Sequence, residues 1–226
     1  MSAGDVAAMI AEPIQGVGGF AVPPKGFFGS MHKVLSESGI LFISDEVQTG
    51  WGRTGEHFWG YQAHDIVPDI LTFAKGVGNG ITLAGCVARK EIMDSIEATS
   101  FSTFGGNPLS SAAGLATIRA VLDEGMQANA LAMGRRLVDK LAPVVEATDW
   151  IAELRGAGLM QANETVQPGS TQPDAGRSGE LLEACRRRNL LIGKGGLYGN
   201  VLRIAPMLNV SEAEIDEGAD ALIDAI

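Results

Sequence analysis

Residues 40–80 read ILFISDEVQTGWGRTGEHFWGYQAHDIVPDILTFAKGVGNG, and this stretch decides the fold. Its two short apolar runs, 41–44 and 70–74, have the length and composition of buried strands. Each run ends at a charged residue, Asp45 after the first and Lys75 after the second, although lysine is rarely buried without a partner. In open α/β sheets, ligands bind outside the carboxyl ends of the strands. An amine and a carboxylate at neighbouring strand ends therefore indicate a cofactor site.

Strands that alternate with helices along the first two thirds of the chain predict an α/β layer fold. Apolar runs predict strands over 6–11, 40–43, 70–74 and 83–88, and helical spacing predicts helices over 27–38, 90–96, 108–122 and 126–146. After Trp150 the pattern changes to short strands around 153–160, 190–193 and 201–205, with helices over 180–188 and after Ser211. We therefore predict a partial large domain over 1–148 and a small α+β domain over 149–226.

Two local signals refine the second part of the chain. Ser211 is followed by Glu214 at the spacing of a capping box, which predicts the start of the last helix. The polar segment 166–179 contains two prolines and is predicted to be a mobile surface loop.

Composition excludes several classes of partner. The formal net charge of -10, with one short basic run at 186–188, argues against nucleic acid. Cys86 and Cys185 lie far apart without metal or disulfide spacing, so we expect free thiols in a reducing cytoplasm. The histidines also lack metal-ligand spacing. No secretory signal and no apolar run of about 18 residues is visible, so we expect neither export nor membrane insertion.

Five stretches of the sequence, taken together, indicate a protein family far more specifically than any one of them. In their order and approximate spacing, they make the chain resemble the class III aminotransferases, which depend on pyridoxal 5'-phosphate. The segment HFWGYQAHD at 57–65 looks most like the alanine–glyoxylate type. The resemblance implies fold type I: the later part of a large domain with a mainly parallel sheet, followed by a small C-terminal α+β domain. The matching stretches are AEPIQG (11–16), SDEVQTGWGRTG (44–55), DILTFAKGVGNG (69–80), STFGGNPLS (102–110) and LRIAPML (202–208).

The resemblance also implies cofactor-binding residues. Lys75 would hold the cofactor as a Schiff base and move the proton during catalysis. Asp45 would face the pyridine nitrogen, Val47 would pack on the ring, and Gln48 would hydrogen-bond its phenolic oxygen. The alternatives are an ordinary surface lysine at a strand end and a capping or turn aspartate. For the neighbouring Glu46 we expect a structural ion pair.

Two further residues match family positions that act on phosphate and substrate. Thr103 corresponds to a threonine that bonds the cofactor phosphate across a dimer interface, which implies a homodimer with shared active sites. Its alternative is an ordinary turn residue. Arg203 corresponds to the arginine that grips the substrate carboxylate, and its alternative is an arginine paired with an acid of the small domain.

Val17 stands where the 4-aminobutyrate and ornithine enzymes tend to carry a glutamate that pairs with this arginine. Valine cannot form that pair. This favours alanine or another 2-amino acid as donor, with an ω-amino acid as the alternative, and a 2-oxo acid such as glyoxylate or pyruvate as acceptor.

The resemblance weakens between 161 and 177 and lacks one part of the family pattern. The glycine- and serine-rich phosphate loop and the aromatic that stacks on the cofactor have no counterpart in the sequence. We therefore expect an N-terminally truncated transaminase. Two alternatives stay open: a non-catalytic remnant or partner subunit, and a relative that catalyses decarboxylation, racemisation or aminomutation.

Overall fold

The computed structural model describes residues 4–226, so the first three residues of the predicted large domain lie outside the described range. The first sheet contains β1 (Ala8–Ala11), β2 (Leu41–Asp45), β3 (Ile70–Phe73) and β4 (Gly85–Ala88), in that order. The first three strands are parallel, and β4 runs antiparallel to β3. The predicted α/β layer is confirmed, with β1 and β4 each starting two residues later than the apolar pattern indicates.

Four helices accompany this sheet: α1 (Phe27–Glu37), α2 (Lys90–Asp94), α3 (Pro108–Asp123) and α4 (Met126–Glu146). The α1 helix packs Phe28 and Leu35 into a cluster with Phe42 of β2. At the start of α3, Asn107 Oδ1 accepts a hydrogen bond from the Ser110 backbone N–H at 3.0 Å, and Pro108 takes the first helical position, where a missing N–H costs nothing. The start of α3 agrees with the helix predicted over 108–122, because a helix cap depends only on residues next to it in sequence.

The second sheet is antiparallel throughout and has the order β5 (Ile151–Ala157), β6 (Met160–Thr165), β8 (Val201–Ile204), β7 (Gly193–Gly195). Two helices, α5 (Ala175–Arg187) and α6 (Glu212–Ile223), complete this part. One apolar cluster joins them to α4 and includes Met133, Leu137, Leu141, Leu181, Leu202 and Leu222. Because α4 shares a core with the second sheet, the domain boundary at 148/149 remains a prediction.

The prediction of a mobile loop over 166–179 is wrong for its second half. The α5 helix begins at Ala175, and Asp174 Oδ1 caps it by accepting a hydrogen bond from the Arg177 backbone N–H at 2.9 Å. Ser178 is fully buried and hydrogen-bonds Thr165 Oγ1 at 2.8 Å. The small polar residues that looked like loop residues serve as a cap and as a buried contact.

The capping box at Ser211 is confirmed. The Ser211 hydroxyl accepts a hydrogen bond from the Glu214 backbone N–H at 3.3 Å, and the Glu214 carboxylate accepts one from the Ser211 backbone N–H at 2.8 Å. Both contacts satisfy donors that a helix start would otherwise leave unpaired.

The loop after β1 connects the two sheets. Ile14 and Phe20 from this loop are buried in a cluster with Met160, Ala162 and Val201 of the second sheet. The cleft between the sheets is therefore lined by residues from distant parts of the chain. No helix within 4–226 is long and apolar enough to cross a bilayer.

Candidate active site

The carboxyl ends of β2 and β3 place Asp45 and Lys75 at one edge of the first sheet. Asp45 is the last residue of β2 and lies opposite Thr72 in the parallel register, so the predicted neighbouring strand ends are confirmed. Lys75 begins a short 3₁₀ turn, Lys75–Gly78, with a left-handed φ of 47°. Few residues with side chains adopt this conformation, and such backbone strain often occurs at functional sites.

Lys75 opens into a small cavity of about 180 Å³ between the two sheets, here named the lysine cavity. Val47 and Gln48 line the same cavity, so the structure brings these three predicted residues together. Lys75 is exposed and has no carboxylate within salt-bridge distance in the described part of the chain. Its amine is therefore available to a ligand. The other lining residues are Phe20, Gly50, Trp51, Arg53, Gly76, Met160, Ala205 and Leu208.

Asp45 faces a different and larger cavity of about 660 Å³, lined by the end of β1 and by Phe27 and Phe28 of α1. Its carboxylate accepts a hydrogen bond from the Val47 backbone N–H at 3.1 Å. That contact leaves further acceptor capacity on the two carboxylate oxygens. The predicted pair thus shares a strand edge, while the lining of the lysine cavity does not include Asp45.

Glu46 is fully buried, and the expected ion pair is absent from residues 4–226. Four donors replace it. The carboxylate accepts hydrogen bonds from Ser44 Oγ at 3.0 Å, Thr49 Oγ1 at 2.6 Å, the Gly60 backbone N–H at 2.7 Å and the Tyr61 backbone N–H at 2.8 Å. A buried carboxylate needs such compensation, and four donors supply it without a cation. Glu46 therefore ties the loop after β2 to the turn at 60–64.

Arg203 lies on β8 and lines a cavity of about 380 Å³, here named the arginine cavity. Its Nη1 donates a hydrogen bond to the Gly16 carbonyl at 3.3 Å, and its guanidinium carbon lies 5.6 Å from the centre of the Phe20 ring. Within residues 4–226 no acid pairs with Arg203, and its Nε is buried without an acceptor. Because Gln48 and Phe20 line both cavities, Arg203 and Lys75 lie in neighbouring spaces.

The loop that carries Val17 is held against the second sheet by backbone contacts. The Val17 carbonyl accepts a hydrogen bond from the Gly196 N–H at 2.9 Å, whereas the Val17 side chain is 69% exposed. Arg155 Nε donates to the Gly19 carbonyl at 2.9 Å. Burial disfavours the charge of Arg155, but the hydrogen bonds to Glu164 and Glu153 outweigh it and raise the pKa of the guanidinium. The position of Val17 is thus fixed through main-chain atoms.

Thr103 is not brought to either cavity. It is exposed in the segment between α2 and α3, flanked by Phe101 and Phe104, whose side chains are 84% and 81% exposed. Within the described residues, two side-chain contacts to the main chain lie nearby: the Gly105 N–H donates to Ser102 Oγ at 3.0 Å, and Asn107 Nδ2 donates to the Phe104 carbonyl at 2.9 Å. Its predicted phosphate contact therefore stays a prediction.

Sequence reasoning did not identify Arg53 as a site residue. Arg53 lines the lysine cavity, and its Nη1 donates to the carbonyl oxygens of Leu159, at 3.3 Å, and Pro206. Burial lowers the pKa of Arg53 to about 10, so the side chain remains charged at neutral pH. The glycines around Arg53 were the available sequence signal, because a loop that packs closely on a helix needs residues without a side chain. A Cβ on Gly55, for example, would lie 2.7 Å from Leu131 Cα of α4.

Trp51 also lines the lysine cavity, with a left-handed φ of 64°. It packs edge-to-face on Phe58 and Phe73, with ring centres 5.7 and 5.4 Å away. Its Nε1 is buried and has no hydrogen-bond partner among residues 4–226. No cluster of metal-binding side chains occurs in that range either. The cavity wall is therefore largely aromatic and apolar beside two cationic side chains.

Comparisons with known proteins identify the family of the chain. The model of the family "Aminotransferase class-III" matches residues 1–226. The chain is 37% identical to human mitochondrial alanine–glyoxylate aminotransferase 2 over 98% of its own length and 44% of the relative's. It is 39% identical to 4-aminobutyrate aminotransferase of Mycobacterium leprae, over 98% of this chain and 50% of that protein. The chain thus spans about half the length of the curated relatives it matches.

Solved structures show the same fold. A phospholyase from Arthrobacter, solved in complex with phosphoethanolamine, superposes with a TM-score of 0.93 at 32% identity, over 97% of this chain and 53% of that one. The matching spans both sheets, so fold type I is confirmed for the part of the chain that the structure describes. The chain belongs to the class III aminotransferases.

Proposed function

We propose that this chain supplies the lysine, ring-binding and carboxylate-binding residues of a pyridoxal-phosphate-dependent aminotransferase. The observation that carries the proposal is the cavity in which the unpaired amine of Lys75 lies beside Val47 and Gln48. Gln48 also lines the cavity of Arg203. A nucleophilic amine suits the carbonyl carbon of an aldehyde cofactor, and a guanidinium in the adjoining space suits the carboxylate of a substrate.

Lys75, Val47 and Gln48 fit the cofactor within one cavity, and Asp45 lies at the same edge of the sheet but faces the cavity lined by the end of β1. When bound, pyridoxal phosphate supplies an electrophilic carbon for amines and a ring that accepts electrons. Lys75 would attach to the cofactor and later accept and return the substrate proton. Asp45, which has acceptor capacity beyond its bond to the Val47 N–H, would pair with the protonated ring nitrogen. Val47 would pack on the ring, and the Gln48 amide would donate to the phenolic oxygen.

We propose a 2-amino acid such as alanine as the donor and a 2-oxo acid such as glyoxylate or pyruvate as the acceptor. Arg203 has no acid partner within residues 4–226, so its guanidinium is free to bind a carboxylate. The exposed Val17 offers no charge that could occupy it. An ω-amino donor is the alternative, and the similarity to a 4-aminobutyrate aminotransferase supports it.

The working assembly that we propose is a homodimer. Thr103 lies outside both cavities, so a phosphate contact from this residue requires another protomer. The exposed phenylalanines on both sides of it, Phe101 and Phe104, form an apolar surface that a second copy would cover. The same proposal includes a large domain over 1–148 and a small domain over 149–226.

Two other functions are compatible with the same fold. The second candidate is a related reaction: decarboxylation, racemisation or aminomutation, or an elimination, which the match to a phospholyase favours. A non-catalytic partner subunit is the third. We also propose a cytoplasmic location. The human relative, by contrast, is named as a mitochondrial protein.

A titration with pyridoxal phosphate, followed by visible absorption, tests the proposal. We expect a lysine-dependent absorption band in the parent and in Lys90→Ala, a control on exposed α2, and no such band in Lys75→Ala. Borohydride reduction and peptide mapping should place the cofactor mass on the peptide that contains Lys75. L-Alanine should then bleach the band more effectively than 4-aminobutyrate. A band that survives in Lys75→Ala would overturn the assignment, and a band that no amine bleaches would favour the non-catalytic candidate.

A further inference from the structure

Arg53 joins three segments that are distant in sequence. Its Nη1 donates to the carbonyl oxygens of Leu159, in the β5–β6 turn, and Pro206, after β8. Its own carbonyl accepts a hydrogen bond from the Leu159 N–H at 3.1 Å. The loop after β2 is thereby fastened to both the turn and the chain that leaves β8.

The hydrogen-bond acceptors of Arg53 are main-chain oxygens and not carboxylates. Two partly buried arginines hold carboxylates: Arg155 pairs with Glu153 and Glu164, and Arg136 pairs with Asp216 and Glu212. Arg203, like Arg53, donates to a main-chain oxygen. Arg53 forms no salt bridge within residues 4–226 and donates its hydrogen bonds to main-chain oxygens. A buried charge without a counter-ion is costly, so a purely structural clamp could use a neutral donor at lower cost.

The segment that Arg53 holds is the one that carries Arg203. Pro206 lies three residues after Arg203, and its neighbour Ala205 lines both the lysine and the arginine cavities. On the other side, Arg53 is in the same loop as Val47 and Gln48. A shift at Pro206 would therefore change the separation of Arg203 from Gln48 and Lys75.

We propose that Arg53 is a positioning residue that sets the distance between the carboxylate-binding Arg203 and the reacting end of Lys75. This inference rests on the proposed function for its catalytic meaning. Although Arg53 lines the lysine cavity, the effect inferred here passes through the Pro206 and Leu159 carbonyls.

The first measurement does not depend on cofactor. Nitroxide labels are attached at two exposed positions, Lys33→Cys on α1 and Met207→Cys after β8, and report the distance between α1 and the segment after β8. Of the native cysteines, exposed Cys86 is replaced by Ser, and Cys185 is buried and stays unlabelled. We expect one narrow distance distribution in the parent. Arg53→Met should broaden or shift it, because both carbonyl contacts are lost. Arg53→Lys, which retains a charged donor, should restore it in part.

The matched control is Arg136→Met, which removes an arginine between α4 and α6. It should lower the melting temperature while leaving the distance distribution unchanged. An unchanged distribution in Arg53→Met would overturn the proposal. Equal broadening in Arg136→Met would also overturn it, because the effect would then be general loosening.

The second measurement is the L-alanine concentration that half-bleaches the cofactor band. In Arg53→Met it should rise by about 10- to 100-fold, the effect of misplacing a binding group by roughly 1 Å. The pyridoxal phosphate titration should shift much less than the L-alanine titration, since the proposed cofactor-binding residues Val47, Gln48 and Lys75 are unchanged. Unchanged alanine dependence would overturn the proposal. Absence of the band in the parent would count against the proposed function, while the distance measurement would still decide whether Arg53 positions the β8 segment.

Discussion

The side-chain amide of Gln48 lies directly against the backbone of Gly16. A Cβ built on Gly16 would be 1.6 Å from Gln48 Nε2, a separation that no structure tolerates. The Gly16 carbonyl also accepts the hydrogen bond from Arg203, and its N–H donates to the Glu12 carboxylate at 2.8 Å. One glycine therefore touches the proposed ring-oxygen ligand and the proposed carboxylate ligand together.

Replacement of Gly16 by alanine should displace Gln48 and weaken cofactor binding. The new methyl group cannot fit unless Gln48 or the 12–21 loop moves, so we expect at least about a tenfold higher concentration of pyridoxal phosphate at half saturation. Gly29→Ala is the control: the nearest atom to its Cβ would be 3.9 Å away, and helix α1 should gain stability by about 0.5–1 kcal/mol. Equal cofactor affinity in Gly16→Ala and the parent would contradict the expected displacement.

Glu46→Gln should destabilise the chain strongly. The glutamine amide nitrogen would face donors where the carboxylate now accepts four hydrogen bonds, leaving about two of them unpaired in a buried site. We expect a loss of roughly 2–4 kcal/mol in the free energy of unfolding, measured by urea titration. Glu56→Gln, at an exposed position of the same loop, should stay within about 0.5 kcal/mol of the parent. A similar small effect at both positions would show that the Glu46 network does not stabilise the loop.

Acid should weaken the contact between α4 and α6. The hydrogen bond from Arg136, with a smaller contribution from Lys140, lowers the pKa of Asp216 to about 2, against an ordinary value of 3.8. A lowered folded-state pKa means that the stabilisation is complete above the unfolded value and is lost as pH falls toward the folded value. Thermal unfolding of the parent should therefore become easier between about pH 4 and pH 2, and this loss should be smaller in Asp216→Asn.

The comparison for this acid effect is Asp139→Asn, at an exposed position of α4 without a salt bridge in the described residues. Its melting temperature should follow the pH dependence of the parent. If Asp216→Asn and the parent lose stability in parallel over this pH range, another carboxylate controls acid unfolding.

Asp174→Ala should loosen the start of α5. The substitution removes the acceptor for the Arg177 N–H and for Gln167 Nε2, which donates to the other carboxylate oxygen at 2.9 Å. We expect about 1–2 kcal/mol of destabilisation and faster amide hydrogen exchange in the first turn of α5. Asp174→Asn retains a capping oxygen and should lose much less. Equal exchange rates in the alanine variant and the parent would mean that the buried Ser178, and not the cap, holds this helix start.

Much of the fold was predictable because its signals are local. Strand lengths, helix periods and the Ser211 capping box depend on residues within one or two turns of each other, and the structure agrees with them. Segment 166–179 was misread for a related reason. Its polar residues have a loop-like composition, whereas in the structure Asp174 caps α5 and Ser178 packs against Thr165 of β6.

The sequence alone placed Asp45 and Lys75 after two short buried strands, since the apolar runs 41–44 and 70–74 are local features of the chain. That these two strands are parallel neighbours is seen in the structure. Tertiary structure decided which residues surround them. Arg203 and Gly16 are 187 positions apart, and Arg53 and Pro206 are 153 apart. Such contacts depend on how two sheets pack across a cleft, and packing is set by the shape and hydrogen bonding of the whole core, which no local pattern encodes. The placement of Lys75 and Arg203 in neighbouring cavities, with Gln48 lining both, is therefore a property of the folded chain.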